Sequence, residues 1–366
     1  MTTRELAIAH SVIYASLFDY PITLEQLHHT LIGSEQTPPE ILAVYDGSAM
    51  LQRMIEYREG FFFPIGHDDL IAERRRREAR SREFLQEHAR VLRLVCALPF
   101  TRLVALSGSI AHLNLEPDGD LDLFIVTKGR RVWTVTVAVL LLAKLLRRRR
   151  SICANFVLAD THLAIDQQDL FTANQVLHLK PLIGAEVLKT FVTANPFVTL
   201  CYPNRPVRRH ESAGRSLVRP PGRGLARIKA LAELVLCVPS PLIEATCRRL
   251  YAWHLRRRAN LWRSPDQVRL QSDYLKLHTR SHRHSVLDRF QATVDTLMAM
   301  AKPRGTRDLF EIFPDLPGLR KRTAAEQIER VHRQVEETRE RAGQNILRQR
   351  IASARVREAI SARRRR

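Results

Sequence analysis

The stretch from Thr101 to Thr127, TRLVALSGSIAHLNLEPDGDLDLFIVT, constrains the fold more than any other part of the chain. Leu103 to Leu106 is a short apolar run with strand character. Ser107-Gly108-Ser109 makes a tight turn into a helical segment from Ile110 to Leu115, and Glu116-Pro117-Asp118-Gly119 turns the chain again. Asp120-Leu121-Asp122-Leu123-Phe124-Ile125-Val126 then reads as a second apolar strand with two carboxylates near its start. Strand side chains alternate faces, so Asp120 and Asp122 share one side, a short distance apart. Like charges this close repel, and folding alone supplies no reason to place them at the start of a buried strand.

A divalent cation resolves that conflict. Mg²⁺, or Mn²⁺ in its place, takes carboxylate oxygens and keeps positions open for phosphate oxygens, so Asp-x-Asp suits a metal held against a triphosphate. Gly108-Ser109 supplies the complementary half. Glycine lets the backbone approach a phosphate, and the helix start that follows presents free N–H groups. Ser109 also suits a helix cap, and Asp118 suits the turn before the strand.

An apolar strand, Gly-Ser, about ten residues and then Asp-x-Asp inside a second apolar strand resembles the nucleotidyltransferase superfamily related to DNA polymerase β, over roughly residues 85–165. The resemblance implies an α+β fold with a polymerase β-like mixed sheet. It also implies transfer of a nucleoside monophosphate from an NTP to an acceptor, with release of pyrophosphate. Asp120 and Asp122 would be catalytic and hold the metal, and Gly108 and Ser109 would bind the nucleotide. The superfamily usually adds a third carboxylate on a later strand. Here the next strand, Ile152 to Leu158, carries Asn155 where an acid is expected, and Asp160 follows two residues beyond. An amide oxygen can ligate Mg²⁺ but is uncharged and a poor base. Asn155 is the preferred third metal position and Asp160 the alternative. A protein of this fold that binds nucleotide or nucleic acid as a regulator, with turnover impaired, is the competing reading.

Residues 1–70 read as helix, helix, helix and a Gly-tipped hairpin. Leu6, Ile8, Val12, Ile13, Leu17 and Phe18 fall at helical spacing, Thr23 caps a second helix, Asp46-Gly47 breaks a third, and Gly60 tips the hairpin. That order resembles a winged helix, a fold that often binds DNA and often serves only as an interaction module. Residues 71–98 read as a connecting helix, 99–165 as the nucleotidyltransferase core, 166–302 as a helical region and 303–366 as a basic, helix-prone tail. Asn204 to Arg223 reads as a loop.

Charge points toward an anionic partner. The 366 residues hold 59 Lys+Arg against 38 Asp+Glu, a net charge of +21, with runs at Arg74–Arg77, Arg147–Arg150, Arg256–Arg258 and Arg363–Arg366. Nucleic acid, nucleotides and acidic lipid head groups all fit, although arginine enrichment also arises without function, and Arg74–Arg77 reads as a solvated helix face. Trp253 and Trp262, interleaved with arginines, suit either base stacking or an amphipathic packing helix. His278, His282 and His284 lie in a basic stretch with no nearby acid or cysteine to complete a zinc site. The five cysteines stand singly, and Met1-Thr2-Thr3-Arg4-Glu5 opens no signal peptide, so a cytoplasmic protein is expected. Val132 to Ala143 is apolar but shorter than the roughly 20 residues a membrane span needs, and reads as a buried helix.

Overall fold

Helix signals near the N-terminus act locally and are met in the computed structural model, which describes residues 1–204, 218, 221–279 and 281–300. Helix α1 (Thr3–Ser16) opens with a capping box between Thr2 and Glu5, and α2 (Leu24–His29) with one between Thr23 and Gln26. Helices α3 (Pro38–Asp46) and α4 (Ala49–Gln52) flank the expected break at Gly47. Strand β1 (Ile22–Thr23) joins the hairpin of β2 (Ile55–Arg58) and β3 (Phe61–Pro64) in a three-stranded antiparallel sheet of order β1-β3-β2. Glu59 and Gly60, both at positive φ, form the hairpin tip.

Helix α5 (Asp69–Cys96) leads into the main sheet, and its arginine run is not a uniformly solvated face. Arg74 and Arg77, three apart, turn inward while Arg75 and Arg76 turn out. The Arg74 guanidinium lies over the Tyr20 ring, 4.1 Å from its centroid, and 5.0 Å from that of Phe61, and it donates to the Pro21 carbonyl. Arg77 bridges Asp19 and Glu73. The run therefore clamps the N-terminal elements to the long helix.

The main sheet has six strands in the order β7-β4-β5-β6-β9-β8. They are β4 (Thr101–Ser107), β5 (Leu121–Thr127), β6 (Ile152–Ala159), β7 (Lys180–Ile183), β8 (Val268–Leu270) and β9 (Tyr274–Leu277). Only β5 and β6 pair in parallel, and the other neighbours are antiparallel, so the sheet is mixed and the fold is α+β. The short α6 (Gly108–Ala111) links β4 to β5, and α7 (Val132–Leu145) makes the crossover to β6. Helices α8 (Leu170–Leu177), α9 (Ala185–Thr193), α10 (Phe197–Cys201), α11 (Arg223–Leu236), α12 (Ser240–Arg256) and α13 (Arg283–Met300) complete the described elements.

Residues 166–302 are thus not purely helical, because β7, β8 and β9 come from them and border the core strands on both sides. These strands are three or four residues long and β7 contains Pro181; β7 pairs with the distant β4, β9 with β6 more than a hundred residues away, and β8 joins the sheet only through β9. Local periodicity carries little signal at that length. The loop expected over Asn204–Arg223 lies mostly outside the described residues, and the basic tail 303–366 lies wholly outside them.

Both sheet faces are covered, as alternation along β5 makes plain. Phe124 and Val126 pack with Leu103, Ala105, Phe156, Phe191 and the α1 residues Ile8 and Val12. Leu123 and Ile125 pack on the other side with Leu106, Leu92, Val95, Trp133 and Val139. Helix α7 therefore serves as a cover for the second face. The first face shares its apolar cluster with the N-terminal helices, and Tyr14 and Tyr20 line one cleft with Asp120 and Asp122 at the start of β5.

Candidate active site

Gly108 follows β4 with φ +65°, a conformation glycine adopts without strain. A Cβ at this position would lie 2.5 Å from Asp122 Oδ2, so a larger residue there would have to displace that carboxylate. The antiparallel register sets this contact by placing Ser107 opposite Asp122. Ser109 is exposed beside it and its carbonyl accepts from the N–H groups of His112 and Asn114, closing the short turn.

Asp122 is the one carboxylate of β5, on the strand face that carries Phe124 and Val126, and Asp120 immediately precedes the strand. Burial, and then the neighbouring Asp120 charge, push the Asp122 carboxyl up to about 7, against the opposing pull of a hydrogen bond from Asn155. The parallel pairing of β5 with β6 puts the starts of both strands together, with Cys153 opposite Asp122. Asn155 follows two residues later on the same face, and its amide Nδ2 donates to Asp122 Oδ1. Asn155 therefore meets the pair as expected, but with its nitrogen toward Asp122, so it holds that carboxylate in place.

Asp160 does not join them. It sits past the opposite end of β6, where its Oδ2 is 3.1 Å from Arg102 Nη1 and its Oδ1 accepts from the Gly129 amide at 2.8 Å. Because β5 and β6 run the same way, a residue after β6 cannot return to the start of β5. The alternative third position is thereby removed. Cys153 takes a place that the sequence reading left empty: its thiol contacts Asp120, and burial together with that carboxylate raises its pKa well above the ordinary thiol range.

Gly108, Ser109, Asp120, Asp122 and Asn155 share the wall of a cleft of about 970 Å³. Its other walls come from remote parts of the chain: Tyr14 and Tyr20 from the N-terminal region, His178 beyond α8, His278 and His282 near β9, and Arg289 on α13. The Tyr20 hydroxyl donates to the His112 carbonyl at 3.0 Å, and the rings of His112 and His178 lie 3.9 Å apart. Burial lowers the pKa of both His112 and His278 to about 3, so each is a neutral imidazole. The Tyr14 hydroxyl and Asn114 Oδ1 are buried with no hydrogen-bond partner among the described residues. Sequence reasoning missed this far wall because its members signal nothing individually; only the packing of α13 against both α1 and α8 gathers them.

The three histidines of the basic stretch separate. His278 and His282 face the cleft, whereas His284 pairs with Asp266 at 2.7 Å. Among the described residues no group of three or more His, Cys, Asp or Glu side chains is arranged to hold a metal. No protein-family model matches the chain, and no curated protein or solved structure matches it.

Proposed function

We propose that the chain is a Mg²⁺-dependent nucleotidyltransferase, with Mn²⁺ able to substitute, that moves a nucleoside monophosphate from an NTP to an acceptor and releases pyrophosphate. In this reading the six-stranded sheet is the polymerase β-like core and the N-terminal elements are a winged-helix-like domain. The observation that carries it is Asp122, enclosed beside Asp120 with a carboxyl near 7 and pressed against the Gly108 turn. A pair of carboxylates that resist joint ionisation, at the wall of a cleft large enough for a nucleotide, fits a divalent cation.

Asp120 and Asp122 would hold the ion, which when bound neutralises triphosphate charge. The chain's own residues then position and orient. Asn155 fixes the Asp122 carboxylate through its N–H, and Gly108 and Ser109 leave a bare backbone and a hydroxyl for phosphate oxygens. Tyr20, His112 and the His178 ring beside it offer aromatic faces for a base. No protein nucleophile is required, since the acceptor itself forms the new bond to the α-phosphorus as the bond to pyrophosphate breaks.

A second reading rests on one observation. Asn155 is uncharged and turns its nitrogen to Asp122, which suits a nucleotide- or nucleic-acid-binding regulator with impaired turnover. Label transfer from each α-labelled NTP, with Mg²⁺ or Mn²⁺, to RNA, DNA, protein or small-molecule acceptors separates the two. Transfer by the natural chain, lost in Asp120→Asn/Asp122→Asn, supports the enzyme and identifies the acceptor class. NTP binding without transfer by a folded chain supports the regulator, and absence of both overturns the site.

A further inference from the structure

Helix α11 is amphipathic, but its orientation is inverted. Lys229 and Glu233 face the body of the protein: Lys229 Nζ donates to Thr101 Oγ1 at 2.7 Å, and Glu233 Oε1 accepts from the Phe100 amide at 2.9 Å. These contacts satisfy backbone and hydroxyl groups at the start of β4, and they lock the rotation of the helix. The apolar stripe is consequently turned outward. Ile228, Leu231, Leu234 and Val235 are each at least 63% exposed, Val238 and Leu242 continue the stripe across the bend, and no residue of α11 is buried. A stripe of six large apolar side chains facing water calls for a cover.

The stripe runs directly into a basic cleft. Beyond a 90° bend, Ser240 and Pro241 of α12 border a cavity of about 1030 Å³ whose walls include Arg130, Arg131, Arg248, Arg249 and Arg256. Glu244 in that wall accepts from the Trp133 and Thr134 amides and the Thr134 hydroxyl, leaving one carboxylate among five arginines. No carboxylate among the described residues pairs with Arg248, Arg249 or Arg256. Trp253 sits on the rim, about half exposed, with the Arg257 guanidinium 4.0 Å from its ring centroid.

We infer that the α11–α12 elbow docks on an anionic phospholipid surface, lying in the plane of the interface. The outward stripe enters the acyl boundary, Trp253 sits at head-group level, and Arg248, Arg249 and Arg256 take lipid phosphates. Two features favour a lipid surface over a protein partner: an arginine-rich wall whose Arg248, Arg249 and Arg256 pair with no carboxylate among the described residues, directly continuous with the stripe, and an aromatic ring at the border between them. Neither helix, of 14 and 17 residues, is by itself long and apolar enough to cross a membrane; the two pass that test only together, across their 90° bend, and the Lys229 and Glu233 contacts that hold α11 against the body favour a position along the surface.

Flotation of the full chain with phosphatidylcholine vesicles, with and without phosphatidylglycerol, tests this. The expected result is at least about tenfold more protein on the anionic vesicles, reduced by a similar factor in Leu231→Asp/Val235→Asp and in Arg248→Glu/Arg249→Glu. In the natural chain, Trp253 emission shifts to the blue on binding and is quenched by brominated acyl chains, a response lost in Trp253→Phe. This fluorescence decides the matter if a charged variant fails to fold. Binding unchanged by Leu231→Asp/Val235→Asp with no Trp253 shift would show head-group or phosphate attraction alone and overturn the proposal. Absence of vesicle binding, with self-association or a protein complex lost in the same variant, would overturn it in favour of a protein interface.

Discussion

Gly108 and Asp122 are locked together: the left-handed turn at Gly108 brings its backbone so near Asp122 Oδ2 that a Cβ would approach to 2.5 Å. The turn and the carboxylate thus form one device, joined by the Ser107–Asp122 register of adjacent strands. Gly108→Ala must relax both the positive φ and this contact. We expect a loss of at least about 1 kcal/mol in urea unfolding, with displacement of Asp122. An unchanged midpoint together with undiminished NTP binding would contradict the coupling.

Asn155→Asp places a third carboxylate beside a pair that already resists full ionisation. Without divalent cation the variant should melt below the natural chain at neutral pH. Millimolar Mg²⁺ should raise its melting temperature by more than it raises the natural one, because a ligand of the folded state stabilises in proportion to its affinity. The same shift in both chains would remove Asn155 from the metal's neighbourhood, and no shift in either would sink the metal reading.

His10 offers a pH test away from the cleft chemistry. Burial lowers its pKa from 6.5 to about 4, its Nδ1 has no partner among the described residues, and its ring meets Phe290 edge-on at 6.1 Å. The unfolded chain therefore binds a proton that the folded chain refuses. Stability from this residue is complete above pH 6.5 and is lost as pH falls toward 4, on the order of 3 kcal/mol in all. His10→Leu should flatten that part of the stability–pH curve when the two chains are compared by denaturant unfolding. Equal slopes for both would show that His10 does not titrate as a buried group.

Arg74 is buried against Tyr20 and Phe61 and donates to the Pro21 carbonyl. Arg74→Met keeps the length of the stem but removes the planar cation and its donors, leaving the carbonyl unpaired. A loss of about 2 kcal/mol is expected, and Arg74→Lys should rescue little of it because an ammonium neither stacks nor forks as a guanidinium does. Full rescue by lysine would show that charge alone matters there. Amide hydrogen exchange should report loosening near Tyr20 first, since Tyr20 is the contact shared with the cleft.

How far the site could be read in advance depended on sequence distance. Gly108, Asp120 and Asp122 lie within fifteen residues, and strand alternation and turn chemistry operate on that scale. Asn155 was legible as the one polar residue of an apolar strand, but the choice between it and Asp160 needed strand direction. Parallel pairing of β5 and β6 brings Asn155 to Asp122 and carries Asp160 to the far end.

The sequence by itself determined the capped N-terminal helices, the long α5, the two core strands and the acidic pair, because each is set by interactions among residues a few positions apart. Tertiary structure alone decided that β7, β8 and β9 widen the sheet, that Tyr20 and His278 complete the cleft, and that α11 turns its apolar stripe outward. Short strands need distant partners for their hydrogen bonds, and an amphipathic helix has two faces. Which face meets the body is decided by what the body offers: here, the Thr101 and Phe100 polar groups that capture Lys229 and Glu233.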